Sequence, residues 1–291
     1  MIREIQAKSL ISHHKEPDWL FGIQYTINLY RGCQHQCIYC DSRSECYQIE
    51  DFDHDVLVKV NAIELLEKEL SRKRVKGTVG TGSMNDPYQP LEARYNLTGR
   101  ALEVIDRHGF GVHVITKSDM VLRDIDRLDS IKRVHAMVSF TITTTDDELA
   151  RILEPGAPVP SRRLEAMQRL AERGIHTGIS MMPILPYIED NAANITAIIE
   201  AASRYRAGYI LPWFGMSMRD RQREYYYRKL DEHFPGLRQK YERRFGHQYG
   251  CQANHAGELE ALFNDLCARH GIKTRAPIYR APEPPRQLQL F

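Results

Sequence analysis

Three cysteines, Cys33, Cys37 and Cys40, fall within eight residues at spacings of four and three. They follow an apolar alternating run, Ile23 to Tyr30, that reads as a strand. Iron–sulfur clusters are held by cysteine thiolates, and a cubane normally takes four. Three thiols in one loop can hold three irons and leave the fourth open to a small chelating ligand. Zinc is the competing reading, because Cys37 and Cys40 form half of a zinc site. The other half would have to come from Cys33, His35, Cys46 or the distant Cys251 and Cys267. No second Cys-x2-Cys or His-x3-His follows at finger-like spacing. Six cysteines in 291 residues are too sparse for a disulfide framework.

The rest of the chain is ordinary for a folded protein, with 42% hydrophobic and 27% charged residues. No apolar stretch approaches the roughly 20 residues of a membrane helix, so no membrane partner is expected. Met1 to Lys15 is mixed and charged, without the apolar core of a signal peptide. The expected compartment is the cytoplasm, where thiols stay reduced. The net charge of +2 gives no global pull toward polyanions. The chain from Met216 onward nevertheless holds 14 Lys/Arg against 9 Asp/Glu. Within it, Arg219 to Lys229 interleaves cations with aromatics, as single-strand nucleic-acid binders do. Tyr226, Leu230 and Phe234 also fit a core stripe at helical spacing, and packing is the reading preferred.

From Gly22 to Phe214, short apolar strands alternate with amphipathic helices in six units. Asn61 reads as an N-cap, and Gly109 and Gly174 close two of the helices. This rhythm argues for α/β: a partial (β/α)6 barrel of parallel strands, with a helical C-terminal extension. The expected division is a lead-in at 1–19, the barrel at 20–215, helices without strands at 216–275, and a Pro-rich tail at 276–291. Ligands of such sheets sit at the carboxyl ends of the strands, where the cysteine loop lies. The turn Gly80-Thr-Gly-Ser-Met-Asn-Asp-Pro87 ends the second strand, where glycines let a ligand approach the backbone. It is also plain turn chemistry. Lys117, just past the third strand, is placed to pair with an anion, although a lone lysine there is more often on the surface. Ser139, in an apolar strand, most simply makes a hydrogen bond within the sheet.

The Cys-x3-Cys-x2-Cys spacing resembles the signature of the radical S-adenosylmethionine (SAM) superfamily. Across Ile27 to about Pro186 the chain is similar to its spore photoproduct lyase-like branch, often labelled DNA repair photolyases. The stretches that carry this are Asn28-Leu-Tyr-Arg-Gly-Cys33, Ser83-Met-Asn-Asp86, Val114-Ile-Thr-Lys117, Ser139, Glu154-Pro-Gly156 and Arg163-Leu-Glu-Ala166. The resemblance implies a [4Fe–4S] cluster on Cys33, Cys37 and Cys40, with SAM on the open iron and cleaved by one electron. It places Tyr39 near the adenine, Lys117 and Ser139 against SAM, and Ser83 and Asn85 in the SAM or substrate pocket. It further implies an external one-electron donor of flavodoxin or ferredoxin type, and a nucleic-acid base as substrate.

Two departures separate the chain from the lyase itself. Ser83 stands where the lyase has the cysteine that returns a hydrogen atom, and an O–H bond is far stronger than S–H. Asp41 replaces the tyrosine that follows the last cluster cysteine. The expectation is therefore a radical SAM enzyme that is not a true lyase, with Tyr88 or Cys46 as conceivable donors and no catalytic residue assigned. A radical SAM enzyme acting on a peptide or small molecule, and a non-enzymatic zinc module, are the alternatives.

Overall fold

The computed structural model describes residues 1–49, 51–52 and 55–281. The chain begins with two strands, β1 (Ile2–Ile5) and β2 (Ile11–His13), where the sequence suggests an irregular lead-in. Both are three or four residues long and mostly exposed, so no apolar alternation marks them. The expected strand at 22–30 is two strands, β3 (Tyr25–Ile27) and β4 (Tyr30–Arg31), which enter different sheets. After the cysteine loop come β5 (Val56–Lys59), also not expected, and α1 (Ala62–Ser71). Asn61 sits at the start of α1 but makes no cap bond with its side chain. Its amide instead exchanges two bonds of 2.9 Å with the backbone of Ala7, which ties the lead-in to the barrel.

The alternating body follows: β6 (Thr78–Thr81), α2 (Glu92–Tyr95), α3 (Leu97–Arg107), β7 (Gly111–Thr116), α4 (Ile125–Ile131) and β8 (Ala136–Thr141). Then come α5 (Asp147–Leu153), α6 (Pro160–Glu172), β9 (His176–Met181), α7 (Ala192–Arg204) and β10 (Tyr209–Pro212). The main sheet runs β10-β9-β8-β7-β6-β3-β2. The six strands from β3 to β10 are parallel neighbours in chain order, and β2 adds an antiparallel edge. Its two ends do not pair with each other, so this is a partial barrel. A separate sheet pairs β5 with β1 in parallel and with β4 antiparallel.

Apolar burial holds the barrel together. Strand residues such as Val112, Val138 and Ile179 are fully covered, as are Leu66, Leu70, Ile105, Leu170 and Ile198 on the helices. Each such side chain contributes about 1.5–3 kcal/mol on leaving water. Strands buried on both faces need no polar alternation, which is why these read as continuous Val/Ile runs.

Beyond β10 the helices are joined by strands that the sequence does not show. β11 (Gly215–Ser217) pairs antiparallel with β12 (Gly250–Gln252), bracketing α8 (Asp220–His233) and α9 (Leu237–Phe245). A last helix, α10 (Ala256–His270), packs on α7. Tyr226, Tyr227 and Leu230 of α8 are buried with Tyr241, Phe245, Ile38 and Tyr39, so the aromatics of the basic segment serve packing. Residues 276–281 carry no regular secondary structure, and the remainder of the Pro-rich tail lies outside the described residues. Among the described residues no helix is long and apolar enough to cross a membrane.

Candidate functional site

The loops at the carboxyl ends of the parallel strands enclose one cleft of about 790 Å³, open mouth included. Its wall carries Cys33, Cys37, Tyr39, Cys40, Ser83, Asn85 and Lys117. The three cysteines are free thiols; Cys33 and Cys37 are buried and Cys40 is partly exposed. Backbone bonds clamp their loop to the turn after α5: Ile38 N–H donates to Leu153 O (2.9 Å), and Gly156 N–H to His35 O (3.0 Å). Residue 156 must be glycine, because a Cβ there would lie 2.1 Å from the Gln34 carbonyl oxygen. From the other side, Gln222 of α8 donates to Tyr39 O (3.1 Å). The loop is therefore rigid by construction.

Burial pushes the Cys33 thiol up and the Cys37 thiol up to about 12, the Lys117 charge working against the latter. A bound metal must displace those protons. A mononuclear zinc takes four ligands around one point, whereas a cubane gives each thiolate its own iron. The cleft wall carries three cysteines and no fourth, which fits a cluster with one iron left open.

Two carboxylates organise the rest. Asp86 accepts from the Thr116 hydroxyl (2.6 Å), the Lys117 N–H (2.6 Å) and the Tyr88 N–H (2.9 Å). His35 Nδ1 lies 3.3 Å away. Burial favours the neutral acid, but His35 and these bonds outweigh it and hold the Asp86 carboxyl at about 2. The turn after β6 is thereby fixed to the end of β7. Gly82 permits the contact: at φ +94° it brings the turn so close that a Cβ would sit 2.1 Å from Ile115 O. Glu154 lies at the centre of the second group. It is buried, accepts from the Tyr39 hydroxyl, and pairs with Arg163 (2.5 Å) and with Lys117 (3.9 Å). Its own burial is outweighed by Arg163 and Lys117, so its pKa is lowered. Burial likewise opposes charge on Lys117, but Cys37 and Glu154 outweigh it and keep the ammonium charged. Its nearest carboxylate already serves Arg163 and Tyr39, which leaves Lys117 the least committed charge in the cleft wall.

The other expected residues differ in what they do. Ser83 is exposed, 3.3 Å from the side-chain oxygen of Asn28. Asn85 spends its amide on Tyr30 O (2.8 Å), and so positions the turn. Ser139, which the resemblance sets against SAM, is buried and is not among the residues lining the cleft. It lies one layer below Thr141 on the same strand face. Its hydroxyl donates to His113 Nε2 (2.7 Å) and accepts from the Tyr209 hydroxyl (2.6 Å), while His113 Nδ1 faces Phe21 O (2.9 Å). Burial lowers His113 to about 4, so the ring is neutral, with a proton on Nδ1. The conceivable hydrogen donors are also elsewhere. Tyr88 is fully buried with its hydroxyl on Asp124 (2.9 Å), and Cys46 is exposed beside Arg219 (3.4 Å). Neither lines the cleft, whose only thiols are the three loop cysteines. Glu154 and Arg163 lie in stretches that carry the resemblance, but the sequence gives them no role, because they bond across separate elements. Trp213 at the cleft mouth is a further residue the sequence does not single out, although a tryptophan directly after a strand end is a signal.

The chain belongs to the radical SAM superfamily, whose family model matches residues 27–197. It is 34% identical over 191 residues to an uncharacterized protein of Methanocaldococcus jannaschii, covering 65% of this chain and 70% of that one. It is 29% identical over 226 residues to an uncharacterized protein of Mycobacterium tuberculosis, covering 75% of this chain and 66%, just under two thirds, of that one. The fold is like that of spore photoproduct lyase complexed with dinucleoside spore photoproduct. That match has a TM-score of 0.69 and 16% identity, and covers 92% of this chain and 79% of the lyase. The protein is an enzyme of radical SAM type, and its cofactors are a [4Fe–4S] cluster and SAM. Cluster binding, SAM cleavage and dependence on an external electron donor are general to the superfamily.

Proposed function

We propose that the protein performs radical chemistry on a nucleic-acid base, holding its cluster on Cys33, Cys37 and Cys40. The observation that carries the site assignment is the convergence of those thiols, the Ser83–Asp86 turn and Lys117 on one cleft at the strand ends. When bound, the cluster and SAM supply a 5′-deoxyadenosyl radical able to abstract hydrogen from carbon. The chain's own residues bind, orient and exclude water. Lys117 offers its ammonium to the carboxylate of SAM, Tyr39 sets one wall of the pocket, and Asp86 fixes the turn that bears Ser83 and Asn85. Support for a base as substrate comes from the fold neighbour, which is seen with a dinucleoside lesion. With no thiol beyond the cluster ligands in the cleft, the reaction departs from the lyase's return of hydrogen by cysteine.

The test is anaerobic reconstitution with iron and sulfide, then dithionite and SAM, with 5′-deoxyadenosine followed by chromatography. Production should be lost in Cys40→Ala and stimulated by damaged or single-stranded DNA. Nucleic-acid affinity should also weaken steeply with salt. Stimulation by peptide or metabolite extracts alone would reassign the substrate.

A further inference from the structure

Resting on the reading above, we propose that Trp213 is the platform on which the substrate's base stacks at the mouth of the cleft.

Trp213 follows β10 directly and its backbone is fixed on three counts. Its N–H donates to Met181 O (3.1 Å), and its carbonyl accepts from Ile184 N–H and Gly215 N–H (3.0 Å each). Trp213 on this anchored backbone is 45% exposed as a residue, whereas Tyr39 in the same cleft is 7% exposed. No ring or cation of the described residues packs over it. A tryptophan left half in water forgoes much of the burial that makes the residue stabilising, although neighbouring apolar residues of the extension are covered completely. Rigid placement and an open π-face suit a ligand ring better than a structural role.

The sheet order says where that ring would enter. β10 is separated from β6 by β9, β8 and β7, yet Trp213 and Met84, which follow those two strands, line the same cleft. They therefore approach it from opposite sides of the curved sheet. A flat group passing between the indole and the adaptable thioether is led toward the cysteine loop and Lys117. Asp41, the carboxylate near this rim, accepts from Ser217 (2.9 Å) and lies 3.4 Å from Arg219. It is already matched, so the mouth does not select for a cation. Every base presents a π-face, and aromatic stacking holds single-stranded or extruded bases without demanding a particular sequence.

The test uses the reconstituted holoenzyme and a fluorescein-labelled oligothymidylate, followed by anisotropy at low salt, with SAM affinity measured in parallel. Trp213→Ala should weaken oligothymidylate binding about tenfold. Trp213→Phe should keep it within about threefold, and neither variant should change SAM affinity or iron content. An abasic deoxyribose-phosphate oligomer should bind the wild type as poorly as oligothymidylate binds Trp213→Ala. Equal oligothymidylate affinity in wild type and Trp213→Ala would overturn the platform while leaving nucleic acid as the substrate. Parallel loss of SAM would reassign the indole to the cofactor's adenine, which also overturns it. A wild-type enzyme that binds no oligothymidylate at any salt concentration removes the nucleic-acid reading, and the platform with it.

Discussion

Two polar layers lie within one barrel, a strand step apart, and they are built differently. The lower one, Tyr209–Ser139–His113–Phe21, is neutral and closed: each donor has its acceptor and no charge is needed. The upper one is ionic and open. Asp86, Glu154 and Arg163 carry charge in buried positions beside the partly exposed Lys117, and the longest ion contact, 3.9 Å, belongs to that residue facing the cleft. A buried charge is costly unless matched, so the chain matches Asp86 and Glu154 fully and leaves one cation for a ligand. The lower layer specifies the barrel, and the upper one prepares a site.

That contrast can be broken at five points, from the largest effect to the smallest. Cys37→Ala should abolish four-iron loading and 5′-deoxyadenosine formation, read from iron content and chromatography. Normal loading would detach the cleft from the cluster altogether. Arg163→Met leaves Glu154 buried beside a weak partner and should cost about 3–5 kcal/mol in urea unfolding. A loss under about 1 kcal/mol would mean that the ionic layer is not held as described.

Acid should separate the layers in order. The His113 ring titrates at about 4 when folded, against its ordinary 6.5, because burial disfavours its charge. Between those values the unfolded chain takes up a proton that the native ring refuses. Stability therefore falls as pH drops from about 6.5 to about 4, by roughly 3 kcal/mol. His135, lowered to about 4 by burial and by His176, adds in the same direction. Asp86 acts in the same direction but at lower pH: its contribution is present above the usual 3.8 and is lost as pH falls toward about 2. The neutral layer thus yields first. Urea midpoints of the iron-free protein at pH 7, 5 and 4 should show this, with a flatter profile in His113→Gln. An identical profile in that variant would exclude the lower layer as the source.

The smallest effect discriminates best. Ser139→Ala strands the Tyr209 hydroxyl and His113 Nε2 and should cost about 1–3 kcal/mol of stability, with SAM affinity unchanged. Lys117→Met should do the reverse, weakening SAM binding with little change in unfolding. A Ser139→Ala variant that loses SAM affinity selectively would instead assign that serine to the cofactor.

Much of this was legible in the chain. The cysteine spacing marked the loop that lines the cleft, and Val/Ile runs alternating with helices marked the parallel sheet, because strands buried on both faces have few other compositions. The strands the sequence does not show, β1, β2, β5, β11 and β12, are three or four residues each, too short for a periodic pattern to separate from chance. Ser139 shows a different limit. Alternation tells which face of a strand a residue occupies but not how deep along the barrel axis it lies, and depth decides between cofactor and core. Glu154 and Arg163 were invisible as a pair for a related reason: Tyr39, Lys117 and both of them meet only after four separate elements have folded.

The clamp on the cysteine loop carries one more consequence, for damage and repair. Ile38, Gly156 and Gln222 hold the loop by bonds that involve no iron. With the cluster on these thiols, as proposed, an oxygen-exposed molecule that sheds it would keep them on their wall, and replacement would be a matter of refilling a standing socket through the cleft mouth, without refolding the chain around new metal.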